Sequence, residues 1–194
     1  FRDPADGRAW IFFTGSLPQA RSLYNGVIGA AVAHAGDGTR IGNAGFDLQP
    51  AIVSADGLCN ELERPHMLVH AGRYYLFWSS QKSVFAPDGP QGPTALYGMV
   101  GDGVTGPFTP LNGTGLVLTN PAQEPRQAYC WQVLDTQEDS FAVVSFIDHW
   151  GLAGRDTAAD AALDRAQFGG TLAPVQRIAI EGAQTRLIGP GLLP

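Results

Sequence analysis

The chain reads as all-β, built from antiparallel meanders of the kind that make a propeller or a sandwich. Three observations carry that reading. Short apolar runs of strand length recur along the 194 residues, turn dipeptides separate them, and a single stretch has helical character. Glycine (25) and proline (14) together supply about a fifth of the chain, scattered between the apolar runs without a period, as many tight turns require.

Taken in order, AWIFFTG (9–15) is an aromatic-rich strand and GVIGAAVAHA (26–35) a small-residue one. HMLVH (66–70) and RYYLFWSS (73–80) flank Ala71-Gly72 as a hairpin. ALYGMVGD (95–102), GLVLTN (115–120), CWQVLD (130–135), FAVVSFID (141–148), TLAPVQRIAIEG (171–182) and TRLIG (185–189) complete the set. Asp37-Gly38, Asp56-Gly57, Asp88-Gly89 and Asn112-Gly113 mark turns between them. RDTAADAALDRAQ (155–167) has helical composition and reads as an excursion on the β scaffold; APDGPQGPT (86–94) reads as a loop within one domain. No sequence repeat is evident, so pattern leaves propeller and sandwich both open.

Charge narrows the function. Twelve Lys and Arg against 18 Asp and Glu give a net charge of −6, which argues against nucleic acid, whose phosphates demand clustered cations. No apolar run reaches the roughly 18 residues of a membrane span. The four histidines lack the spacing of a metal site, and phosphate loops, dinucleotide fingerprints and G-x-S-x-G elbows are missing. Asp148-His149 reads as a structural pair. The chain opens on Phe1 with no methionine, which suggests a truncated or processed sequence.

NELERPHM (60–67) carries the most chemistry. In an extended segment Glu61 and Glu63 share one side while Leu62 points to the other. Two carboxylates so placed repel, which raises one pKa unless a cation intervenes; Arg64 is the cation at hand, and Pro65 biases its backbone away from helix. A carboxyl kept protonated near neutral pH is what a general acid needs. On spacing alone the blander reading is a solvated strand end with a surface ion pair. Asp3 in FRDP is either a turn residue or a carboxylate beside the Arg2 guanidinium. Tyr129 and Trp131, in RQAYCWQVL (126–134), suit sugar stacking or a β core, and Trp131 fits the core better.

FRDP followed some sixty residues later by ELERPH resembles the levansucrase family, glycoside hydrolase family 68. YYLFWSS, ALYGMVGDGVTGPFTPLNGTGLVL, SFID and GGTLAP resemble further segments of those enzymes in the same order, over essentially all the chain outside 150–167. The resemblance implies a five-bladed β-propeller, of which residues 1–194 form the C-terminal part of one catalytic domain, with sucrose and fructosyl acceptors as its partners. It implies a retaining reaction with two carboxyl groups, no cofactor and a secreted or periplasmic bacterial location. By motif position, Asp3 is the transition-state stabiliser and Glu63 the general acid/base. Arg2, Glu61, Arg64, Gln81 and Tyr129 are substrate-binding. The family's nucleophilic aspartate and its W-S-G motif fall upstream of Phe1; a second chain or a further segment is expected to supply them, and the isolated chain is expected not to turn over sucrose. Gln81 stands where many polymer-forming members carry His or Arg, favouring hydrolysis or short products. Asn60 stands where calcium-binding members carry aspartate, so no metal is expected. Cys59 and Cys130 each adjoin a residue assigned to the sugar funnel, leaving a disulfide open. A non-catalytic carbohydrate-binding propeller is the alternative reading.

Overall fold

A computed structural model of the chain describes residues 1–20, 22–34, 45–123, 128–136, 140–147 and 172–190. The helical stretch 155–167, the Asp37-Gly38 turn and the Asp148-His149 pair lie outside these residues.

Among the described residues, three antiparallel sheets follow one another along the chain. In the first, β1 (Trp10–Ser16) pairs with β2 (Gly26–Ala33), which also pairs with the short β3 (Phe46–Leu48) and β4 (Val53–Ser54). The second runs β5 (Glu63–His70), β6 (Arg73–Ser80), β7 (Ala95–Gly101) and β8 (Phe108–Pro110), with β9 (Leu116–Thr119) also on β7. The third runs β10 (Tyr129–Asp135), β11 (Phe141–Phe146), β12 (Gln176–Glu181) and β13 (Gln184–Pro190). Each sheet is a sequential meander, and the opening strands pack together, β1 and β10 both against β5. Meanders whose leading strands converge are blades, which decides for the propeller over the sandwich.

Strand chemistry explains the layering. β6 is buried along nearly its whole length because it lies mid-sheet with a sheet packed over each face, so it is continuously apolar instead of alternating. One core joins the second and third sheets through Tyr75, Phe77, Trp131, Phe141 and Ile178; another joins the first and second through Ile28, Leu62, Leu76 and Trp78. The Ala71-Gly72 hairpin forms as expected, with both residues at positive φ (48° and 75°), the geometry of a two-residue turn matched to strand twist. Asn112 (φ 53°) donates through Nδ2 to Leu116 O and Thr185 Oγ1, and its Oδ1 accepts from Thr185 N, tying β13 to the second sheet.

Two strand expectations shift. The run 171–182 becomes strand only from Gln176, since Pro174 has no N–H for a ladder. β5 begins at Glu63 instead of His66 and so takes in the ERPH segment.

Candidate active site

The segment leading into β5 is held from three sides. Leu62 is 2% exposed and its carbonyl accepts from Thr14 Oγ1 (2.7 Å). The Glu61 carbonyl accepts from Ser80 Oγ (2.6 Å) and Cys59 Sγ (3.3 Å). With Leu62 inward, Glu61 is exposed and Glu63 half-buried on the opposite side, as the strand alternation predicts.

Bulges then aim the candidate residues. The β5–β6 register shifts between Glu63 and His66, with Arg64 at φ 49°. The β10–β11 register shifts between Tyr129 and Gln132, with Cys130 at φ 54°. β5 and β10 therefore each carry a left-handed residue immediately after their first residue, and bulges of this kind re-aim side chains. The Tyr129 hydroxyl donates to Glu63 Oε2. Its ring stands edge-on to Trp131 (6.1 Å) and to Phe146 (6.4 Å). Burial, and then the bond to the Glu63 carboxylate, push the Tyr129 phenol well above its ordinary pKa, so it stays a protonated donor.

Pro65 does keep Arg64 out of the helical region, but into left-handed backbone. Strand alternation is broken there, and the guanidinium lies 5.4 Å over the Phe146 ring. Among the described residues no ion pair joins Arg64 to Glu61 or Glu63, so the intervening cation expected from the sequence is not found there. Burial of the carboxyl, although Glu61 as a residue is exposed, and then repulsion from Glu63 push the Glu61 pKa above the usual carboxylate range. Gln81 follows β6 directly, at the same end, half-buried, with Oε1 accepting from Ser83 Oγ (3.4 Å).

Asp3 stands elsewhere. Phe1 and Trp10 pair through Trp10 N to Phe1 O (2.7 Å), and Asp3 N donates to Arg8 O, closing a tight hairpin. There Asp3 Oδ1 accepts from the buried Tyr74 hydroxyl (2.6 Å) and Ala5 N (2.9 Å), while Arg2 Nη1 donates to Gly7 O. The bond to Asp3 pushes the Tyr74 phenol up to about 12. Tyr74 pairs with Val69, whereas Glu63 pairs with Ser79. Five residues of strand separate these positions, roughly 17 Å, so Asp3 and Arg2 are not brought to the Glu63 cluster.

His66, whose spacing excludes a metal site, instead links the two bulged strands. Its Nε2 accepts from Val133 N (2.9 Å) and its Nδ1 bonds Arg64 O (3.1 Å). Ser79 Oγ likewise accepts from Trp131 N (3.1 Å). β10 leads its sheet, so its inner-edge N–H groups have no ladder partner and these two side chains satisfy them. A histidine and a serine in the two strands of the 66–80 hairpin are the signal present in the sequence. Trp131 is in the core as expected, and Cys59 and Cys130 are buried and not joined in a disulfide. The outer hairpin β12–β13 has an open cleft lined by Ala179, Glu181 and Arg186, which holds none of these groups; the carboxylates locate the chemistry better than the concavity.

Enclosure lowers the His66 pKa from 6.5 to about 4. Between those values the unfolded chain binds the extra proton, so stability falls as pH drops from 6.5 to 4, by about 2–3 kcal/mol in all. Denaturation midpoints at pH 7 and pH 4.5 measure this, and His66→Gln is expected to flatten the difference.

Together the three meanders form part of a β-propeller that carries a tyrosine-bound glutamate beside a second carboxylate. Residues 8–188 match the family described as Levansucrase/Invertase, and the chain belongs to that family. FRDP precedes the matched residues. Levansucrase LscA of Pseudomonas savastanoi pv. glycinea is 34% identical over 94% of this chain and 45% of its own length, and the levansucrase of Erwinia amylovora 31% over 97% and 48%. Among solved structures, inulosucrase from Halalkalicoccus jeotgali bound to kestose is 36% identical with a TM-score of 0.80, over 100% of this chain and 52% of that one. The full-length β-fructofuranosidase of Microbacterium saccharophilum K-1 is 26% identical with a TM-score of 0.77, over 98% and 43%. The chain spans about half the length of the curated relatives it matches.

Proposed function

We propose that the protein carrying this chain is a retaining fructosyl-transferring enzyme that cleaves sucrose, releases glucose and passes the fructosyl group to water or a sugar. The observation that carries the reading is the Glu63–Tyr129 pair beside Glu61, in a chain of the levansucrase/invertase family. Glu63 is the acid/base: it protonates the departing glucose oxygen and then takes a proton from the acceptor. Tyr129, held protonated, orients that carboxyl. Glu61 and Arg64 bind sugar hydroxyls, and Gln81 lines the acceptor side. Residues 1–194 are read as the C-terminal part of one propeller domain whose nucleophile lies in a preceding segment or a second chain, in a secreted or periplasmic bacterial protein. Glucose release from sucrose by the full-length protein tests this; sucrose binding without release would favour a binding-only propeller.

Asp3 and Arg2 keep their roles, transition-state stabiliser and sugar ligand, on motif order alone, and those roles require the 1–8 hairpin to leave Tyr74. If Asp3 acts at the sugar, Asp3→Asn lowers kcat by about a hundredfold or more while Tyr74→Phe changes it little. Similar small effects of both variants would leave Asp3 as the acceptor of a structural hydrogen bond. Gln81 predicts free fructose and short oligosaccharides as the main products on chromatography; mainly high-mass levan would contradict that assignment.

A further inference from the structure

We propose that His66 is the positioning residue of the acid/base glutamate, locking the bulge that carries Glu63 to the strand that carries Tyr129. The proposal rests on the reading of Glu63 given above. Its basis is a single imidazole with two obligate bonds. Val133 N–H donates to Nε2 at 2.9 Å, so that nitrogen bears no proton. The proton is then on Nδ1, which donates to the Arg64 carbonyl at 3.1 Å. One neutral tautomer satisfies both partners, and the Val133 bond is not replaceable by a ladder bond, because β5 and β10 belong to different sheets. The ring is fixed in plane by Phe77, stacked at 5.5 Å with 26° between planes.

What the imidazole holds is specific. Arg64 is the left-handed residue of the bulge, and Glu63 precedes it directly, so the bond to the Arg64 carbonyl fixes the Arg64–Pro65 peptide and with it the left-handed turn that immediately follows Glu63. Val133 lies in β10, whose first residue, Tyr129, binds the Glu63 carboxylate. The turn that follows Glu63 and the strand whose Tyr129 binds its carboxyl end are thus both tied to His66. An acid displaced by about 1 Å loses on the order of a hundredfold in rate. A plain inter-strand tether would explain the Val133 bond, but not why the same ring also closes onto the bulge.

Two conservative variants separate these bonds in the full-length protein. His66→Gln places Oε1 where it accepts from Val133 N–H and gives up the Arg64 bond; His66→Asn places Nδ2 where it donates to Arg64 O and gives up β10. With sucrose, both are expected to lose about tenfold to a hundredfold in kcat with KM changed less than about threefold, at temperatures where both are folded by circular dichroism. With p-nitrophenyl β-D-fructofuranoside, whose leaving group needs no proton, first-turnover release is expected within about threefold of the parent. Folded variants with kcat on sucrose within twofold of the parent would overturn the proposal and leave His66 a strand tether. Equal losses on both substrates would overturn it too, since the defect would then not pass through the acid. A parent protein that releases no glucose would instead refute the reading of Glu63 itself.

Discussion

Glu63→Gln in the full-length protein is expected to lower kcat for sucrose by about 10²–10⁴-fold, the usual contribution of a general acid, with KM little changed. Gln is isosteric with Glu, and its amide oxygen still accepts the bond that Tyr129 donates to Glu63 Oε2. The local fold therefore persists and the lost function is the transferable proton. The bulge at Arg64 and the burial of Leu62 hold the backbone on both sides of residue 63 and are untouched by the change. Unchanged sucrose cleavage would refute the acid/base assignment.

Phe77→Ala destabilises the protein by about 3–5 kcal/mol, read from denaturant midpoints. The ring is fully buried in the core shared by the second and third sheets and stacks on His66. The core has been shaped around it: at Gly98 a Cβ would come 2.7 Å from the Phe77 ring and 2.8 Å from Leu111. With glycine opposite, position 98 offers no side chain to fill the vacated volume. Phe13, 36% exposed on the first sheet, should cost far less when cut to alanine. Comparable losses at the two positions would contradict this account of the core.

The parts legible in the sequence are those set by local chemistry. The long strands declared themselves by apolar and β-branched runs, and Ala71-Gly72 by its place between two of them. The alternation of Glu61, Leu62 and Glu63 needed only strand geometry. By contrast β3, β4 and β8 are two or three residues long, too short to show a period. The bulges at Arg64 and Cys130 are fixed by tertiary packing and leave no composition signal. Asp3 meets Tyr74 across 71 positions and His66 meets Val133 across 67. No spacing rule reaches that far, so the sequence showed which residues carry chemistry more clearly than which of them meet. Arg64 shows the cost of ignoring a bulge: an unbroken alternation puts its charge beside the carboxylates, whereas the left-handed backbone takes it over Phe146.

The central claim, that Glu63 supplies the proton in a two-step fructosyl transfer, is tested most directly by first-turnover kinetics of Glu63→Gln on p-nitrophenyl β-D-fructofuranoside beside sucrose. The account predicts a burst of about one equivalent of p-nitrophenolate, because bond cleavage needs no acid there while the second step still lacks its base, and almost no glucose from sucrose. Loss of both activities in equal measure, with no burst from a folded variant, would contradict it.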